Sequence, residues 1–204
     1  MDQAVLLLKR GKLVAYPTES WYGLAVDPFN RGAVDRLYAV KQREKSKPLP
    51  TLVSSRAQLD LLARDIPSCY RALMEKFWPG PLTLVFPAHL HIPTCLTAGT
   101  GTVAVRYSSH PVAAGLAEAF GRPITATSAN ISGRDPQDTA QGVAGCLGAE
   151  VDMILDGGRT AGICASTVVS CLEGTLTCVR PGRIAFSEVM EAVQEMKREG
   201  KNIL

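Results

Sequence analysis

Thr102 to Asn130 reads TVAVRYSSHPVAAGLAEAFGRPITATSAN. Thr102 to Arg106 is rich in β-formers and alternates, so it is a strand with Thr102, Ala104 and Arg106 on one side. Pro111 to Phe120 has helical character, and Gly121 stands just past its end, where a left-handed residue closes a helix. Ile124 to Thr127 returns to strand, then gives way to small polar residues. Strand, helix and strand within one short stretch is the signature of an α/β architecture.

The alternation continues on both sides. Upstream, Ala4 to Leu8 followed by Lys9, Arg10 and Gly11 reads as a short helix closed by a glycine, with cations at its C-terminal end. Leu13 to Tyr16 follows as a strand that Pro17 ends. Ala33 to Lys41 places Val34, Leu37 and Tyr38 on one helical face. Leu52-Val53 suggests a short strand. Ser55 is an N-cap for a helix carrying Leu59, Leu61 and Leu62, and Pro67 opens another that ends near Trp78-Pro79-Gly80. Leu82 to Phe86 is a strand. Downstream, Ala140 to Leu147 reads as a helix ended by Gly148. Met153 to Leu155, Ser166 to Cys171 and Leu176 to Val179 read as strands, Glu188 to Lys197 as a helix, and Glu199 to Leu204 as a frayed tail. Helices packed on a mixed sheet are expected, and with no internal repeat or low-complexity linker, residues 1–204 are expected to form a single domain.

Composition agrees. The chain has 204 residues, enough for one sizeable core. With 46% hydrophobic and 20% charged residues it is a globular chain, not a disordered one. Ala4 to Leu8 is too short to span a bilayer and carries no cleavage pattern, so a cytoplasmic location without a membrane partner is expected. The six cysteines show no CxxC pair and no His at zinc-ligand spacing, so they are expected to be reduced, half-buried thiols. The net charge is only +3, but between Arg31 and Arg64 eight basic residues face three acidic ones. A local positive field suits a phosphate-bearing ligand.

Six segments can carry chemistry. Pro17-Thr18-Glu19-Ser20-Trp21-Tyr22-Gly23 leaves a strand and brackets one short turn with hydroxyls and a carboxylate; the same residues also make a capped turn. Lys41-Gln42-Arg43 with Lys45 and Lys47 leads into the stiff Pro48-Leu49-Pro50. It is either a solvated helix end or a rigid presentation of cations to a triphosphate. Arg106 ends its strand beside Thr102, and a planar guanidinium can take an amino-acid carboxylate through two hydrogen bonds. Ser128-Ala129-Asn130 offers donors and acceptors with room for a ligand, and is equally good as a turn. Ala165-Ser166-Thr167-Val168-Val169 and Val179-Arg180-Pro181-Gly182 are the fifth and sixth. There is no GxxxxGK[ST] loop and no GxGxxG, so any ATP must be held by side chains. His89 and His91 sit between Pro87 and Pro93 and read as surface histidines, not metal ligands.

Together these segments resemble the YrdC/TsaC family of threonylcarbamoyl-AMP synthases. The matching pieces are Pro17-Thr18-Glu19-Ser20 with Tyr22-Gly23, Lys41-Gln42-Arg43, Thr102 to Arg106, Ser128-Ala129-Asn130 with Ser132-Gly133, Ser166 to Val169, and Val179-Arg180-Pro181-Gly182. They stand in the family's order. The resemblance implies a twisted mixed α/β sheet with flanking helices and a basic concave surface, over a core of about 2–187 followed by a C-terminal helix and tail, 188–204. It implies that Arg43, Lys47, Thr102, Ser128, Asn130 and Arg180 contact ATP. Lys41 and Arg43 would position phosphates electrostatically, while Ser20, Arg106 and Ser166 contact threonine.

The implied reaction joins ATP, L-threonine and bicarbonate, with Mg²⁺ carried by the nucleotide and no protein metal site. Its product serves threonylcarbamoyladenosine modification of tRNA, so tRNA or double-stranded RNA and a downstream threonylcarbamoyl transferase complex are the implied partners. The sequence departs from the family at Ser20, often Thr; Glu44, often Pro; Lys47, often Asn; Ser170, often Asp; and Leu52, where some relatives carry His. Two other readings use the same surface. One is a double-stranded RNA-binding or ribosome-maturation factor without turnover, the other a paralogue with a different amino-acid substrate.

Overall fold

A computed structural model describes residues 1–172 and 174–198. Along the chain the order is α1 (Asp2–Lys9), β1 (Val14–Pro17), β2 (Tyr22–Ala25), α2 (Arg31–Lys41), β3 (Thr51–Leu52), α3 (Arg56–Asp60), α4 (Tyr70–Phe77), β4 (Leu82–Pro87), α5 (Thr94–Thr97), β5 (Thr102–Arg106), α6 (Pro111–Phe120), β6 (Ile124–Thr125), β7 (Thr127–Ser128), α7 (Ala140–Leu147), β8 (Met153–Ile154), β9 (Thr167–Leu172), β10 (Thr175–Arg180) and α8 (Phe186–Arg198). The sequence signals hold where punctuation is strongest. Asn30, Ser55 and Thr139 cap α2, α3 and α7 by accepting from backbone N–H groups three residues on. Gly121, at φ 74°, closes α6 in a conformation that glycine adopts freely.

The strands form two sheets where the sequence suggested one. Four strands run in the order β7-β2-β1-β8 and six in the order β10-β9-β4-β5-β3-β6. Both are mixed: β1 is antiparallel to β2 and parallel to β8, while β4 is antiparallel to β5 and parallel to β9. The segment read as one strand from Ile124 to Thr127 is divided between them, with β6 on the larger sheet and β7 on the smaller. Ala126 marks the crossing and donates its N–H to Pro50 O. Thr125 ties the sheets together there, its Oγ1 donating to Leu24 O and accepting from Val26 N–H.

Two further expectations are corrected. Pro17 does not end pairing before β1 is complete; it is the last residue of β1 and lies in register with Tyr22. Tyr22–Ala25, to which the sequence reading gave no element, is strand β2. All four of its residues are buried, so the strand shows no polar alternation to reveal it. The histidine segment is a loop, with His89 half-buried and His91 exposed. The tail Glu199–Leu204 lies outside the described residues.

The core has two parts. The larger contains Leu24, Leu37, Tyr70, Leu84, Phe86, Val105 and Val169. The smaller packs α1 and α6 through Leu8, Leu116 and Phe120 against Val14, Tyr16 and Ile124. Among the described residues no helix is long and apolar enough to cross a membrane.

Candidate functional site

The β1–β2 loop is built around Thr18. Its Oγ1 donates to Trp21 O at 2.7 Å and accepts from the N–H groups of Ser20 and Trp21, a self-closed turn that leaves the neighbouring side chains free for other work. Ser20 O accepts from Gly162 N–H, and Glu19 O accepts from Arg183 Nη1. The Glu19 carboxylate turns inward, where one oxygen accepts from Arg106 Nη1 and the other from Ser108 Oγ. The Arg106 and Glu19 side chains are only 7% and 11% exposed. Ser20 Oγ, buried beside them, has no hydrogen-bond partner. A buried hydroxyl without a partner is costly, which marks it as a place for an incoming polar group.

Arg106 ends β5, and its register partner on β4 is Thr83. Thr83 Oγ1 hydrogen-bonds Ser166 Oγ at 2.8 Å. Ser166 in turn accepts from Arg180 Nη2, through its carbonyl at 2.8 Å and through its hydroxyl. Glu19, Arg106, Thr83, Ser166 and Arg180 are therefore linked across β5, β4, β9 and β10. Gly182 permits this closeness, since a Cβ there would lie 2.4 to 2.5 Å from Thr167 N, Ala165 O and Ser166 C.

Lys41 ends α2 and is buried at 1% exposure. Its ammonium donates to Ser128 O, to Asn130 O at 2.8 Å and to Asn130 Oδ1 at 3.2 Å. Ser132 N–H returns a bond to Lys41 O. Ser128 Oγ also donates to Asn130 Oδ1, and Asn130 Nδ2 donates to Arg134 O. Lys41 thus holds the Ser128–Asn130 turn instead of pointing at solvent, because α2 ends directly beneath that turn's carbonyl groups. Burial pushes the Lys41 ammonium down to about 7, with the charge of Arg43 acting the same way. Gln42, left-handed at φ 49°, turns the chain so that Arg43 leaves in another direction. The Arg43 guanidinium is steadied by the carbonyl groups of Lys47 and Pro48.

These pieces converge electrostatically. Arg180 lies lower than a free guanidinium first because of desolvation, then because of Arg106, and further because of Arg43. Of these cations Arg106 has a carboxylate partner in Glu19; among the described residues Lys41, Arg43 and Arg180 are bonded to oxygens that carry no charge. Like charges gathered without counter-ions form an anion site. The structure thus gathers Lys41, Ser128 and Asn130 into one hydrogen-bonded group, with Arg43 next along the chain, and the Ser20 loop, Arg106, Ser166 and Arg180 into another. Glu19, Thr83 and Ser108 join the second, and the sequence had assigned them no role. Glu19 was visible as a carboxylate in the loop, but its partner lies 87 residues away.

Thr102 and Lys47 stand apart from this network. Thr102 shares a face of β5 with Arg106, but four residues of strand place it roughly 13 Å away, and its hydroxyl bonds Thr100. Lys47 forms an exposed ion pair with Glu44 at 2.9 Å. Two departures from the family pattern therefore face each other, and the Lys47 ammonium is directed to that carboxylate. Leu52 is fully buried in β3, and Ser170 bonds Thr177 across β9 and β10.

The Sua5/YciO/YrdC family model, described as "Telomere recombination", matches residues 6–182. The chain belongs to this family. The threonylcarbamoyl-AMP synthase of Pyrococcus abyssi is 40% identical over 93% of the chain and 56% of the relative, and that of Bacillus subtilis is 40% identical over 94% and 55%. The crystal structure of P. abyssi Sua5 complexed with L-threonine superposes with a TM-score of 0.91 at 39% identity, covering 95% of this chain and 57% of that one. The chain spans about half the length of these Sua5/YciO/YrdC relatives.

Proposed function

We propose that the chain is an L-threonylcarbamoyladenylate synthase, making threonylcarbamoyl-AMP from ATP, L-threonine and bicarbonate for threonylcarbamoyladenosine modification of tRNA. The observation that carries this reading is the buried Arg106, paired to Glu19 beside the unpartnered Ser20 hydroxyl and joined through Thr83 and Ser166 to Arg180. Support comes from the relatives, which are threonylcarbamoyl-AMP synthases, and from the L-threonine in the P. abyssi Sua5 crystal.

The chemistry asks for placement and charge neutralisation, and needs no enzymatic nucleophile. Bicarbonate supplies carbon dioxide with loss of water, and the threonine amine adds to it to give a carbamate. A carbamate oxygen then attacks the α-phosphorus, the bond to the α,β-bridging oxygen breaks, and pyrophosphate leaves. Arg43 and Arg180 neutralise phosphate oxygens, with the Lys41-braced Ser128–Asn130 turn as the polar wall beside them. The Arg106 guanidinium, one nitrogen committed to Glu19, offers its other N–H groups to the threonine carboxylate. Ser20 Oγ, which has no partner, and Ser166 Oγ are the hydroxyls offered to threonine. Among the described residues no group of three His, Cys, Asp or Glu side chains can hold a metal, and the Glu19 carboxylate is already committed. In this reading Mg²⁺ enters with the nucleotide, as part of the substrate.

Mass spectrometry of a reaction containing ATP, bicarbonate and labelled threonine tests the proposal. A labelled threonylcarbamoyl adenylate is expected, formed with pyrophosphate only when all three substrates are present. Labelled adenylate from serine and none from threonine would establish the altered-substrate reading instead. No adenylate at all, together with salt-sensitive retention of double-stranded RNA, would leave the RNA-binding reading.

A further inference from the structure

Cys69 and Cys171 lie 102 residues apart in sequence, yet their sulfurs are 3.2 Å apart. Both are held by ordered backbone. Cys69 directly precedes α4, where Tyr70 N–H bonds Pro67 O, and Cys171 sits in β9 opposite Leu176 of β10. A disulfide needs the sulfurs about 1.2 Å closer, a shift within reach of side-chain rotation. An opening of about 290 Å³ lies against the pair, lined by Pro67, Ser68, Cys69, Cys171, Gly174 and Lys197. It admits a small oxidant. The two thiols differ in access: Cys69 is half-buried and Cys171 is 7% exposed.

We infer that Cys69 and Cys171 form a modification site that takes a two-electron thiol oxidant, such as hydrogen peroxide, and closes to an intramolecular disulfide. Cys69 meets the oxidant. Its thiolate attacks one peroxide oxygen, the O–O bond breaks, and hydroxide leaves to become water, giving a sulfenic acid. The Cys171 sulfur then attacks the Cys69 sulfur, the S–O bond breaks, and a second water carries off the Cys171 proton. Two thiols lose two electrons and one peroxide becomes two waters. Burial, with the neighbouring sulfur, pushes the Cys69 thiol up to about 12, against which Lys197 in the same opening acts weakly. The reaction is therefore slow at neutral pH and faster in alkaline solution. The pair lies at the far end of β9 from Ser166, roughly 15 Å along the strand, so the cross-link leaves the cationic site in place.

The test uses the full chain treated with excess hydrogen peroxide at pH 8.5, then denatured and alkylated. Before alkylation an intact mass about 2 Da below that of the reduced chain is expected; after it, four of the six cysteines carry the alkyl group and a digest yields a peptide joining Cys69 to Cys171. The unfolding midpoint rises by several degrees, because the cross-link restricts the unfolded chain, and dithiothreitol reverses the shift. Cys171→Ala leaves a sulfenic acid on Cys69 that dimedone traps. Stable sulfinic acid on wild-type Cys69, disulfides joining other cysteines, or intermolecular dimers in place of the internal link would overturn the inference.

Discussion

Arg43 and Arg106 are both arginines of the cationic site, but they are held differently, and their substitutions should behave differently. Arg43 is steadied by carbonyl groups at the surface, so Arg43→Ala is expected to abolish threonine- and bicarbonate-dependent pyrophosphate release while the unfolding midpoint stays within a degree or two. Arg106→Ala instead leaves Glu19 as a buried carboxylate without its cation, which costs about 3–5 kcal/mol of stability. Adding Glu19→Gln to that variant should restore much of the stability, and denaturant titration of the single and double variants measures it.

Lys41 gives a pH-dependent counterpart. Burial brings its folded pKa down to about 7, below the 10.5 of a free lysine. Between these values the unfolded chain holds a proton that the folded chain has released, so the lysine's contribution to stability grows as pH rises through the window. The stability of wild type relative to Lys41→Met is expected to increase from pH 7 to pH 10, with a slope of at most about 1.4 kcal/mol per pH unit, read by denaturant unfolding at several pH values. A flat difference would mean that Lys41 stays charged in the folded protein. Single residues at strand ends were legible in the sequence, since alternation alone placed Arg106 at the end of β5. What each touches was not, because Glu19 and Arg106, or Lys41 and Asn130, meet only through tertiary contact.

Among the elements, those bounded by glycine, proline or a capping hydroxyl were read with the right type, but α3 stops at Asp60, short of Leu61 and Leu62, and α4 begins at Tyr70 instead of Pro67. α6 and α7 match the sequence reading at both ends. β2 was missed because a strand buried on both faces carries no period-two signal, and β6 and β7 were read as one strand because nothing local marks the passage between sheets. The junction of β9 with the turn after β10 is where an element-scale substitution should be felt most. Gly182→Ala would press its Cβ on the backbone of Ala165 to Thr167. That turn carries Arg180 and backs Ser166, so overpacking of about 1–3 kcal/mol is expected, with a larger relative loss of nucleotide and threonine affinity than of stability. Calorimetric binding of each substrate beside a thermal melt separates the two effects. Unaltered affinities would show that the Arg180–Ser166 contact does not depend on this close packing.

On the scale of the whole molecule, the basic excess between Arg31 and Arg64 overstated the field of that region. Arg36 pairs with Asp152, Lys45 with Asp35, Lys47 with Glu44 and Arg56 with Asp60. Such exposed pairs contribute little to stability; with Arg31 beside Asp35 and Arg64 beside Asp65 as well, they leave Lys41 and Arg43 as the cations of that stretch without a carboxylate partner among the described residues. The fold then adds Arg106 and Arg180 from the larger sheet. Counting charges along the chain could not show all of this, since Arg36 is neutralised by a residue 116 positions away.

The convergence of these cations on one anion is tested most directly by calorimetric titration of ATP into wild type, Arg43→Ala, Arg180→Ala and the double variant. Each single substitution is expected to weaken binding by about tenfold or more, the loss of one charge-assisted hydrogen bond, with unfolding midpoints preserved. Wild-type affinity in both single variants would contradict the shared site.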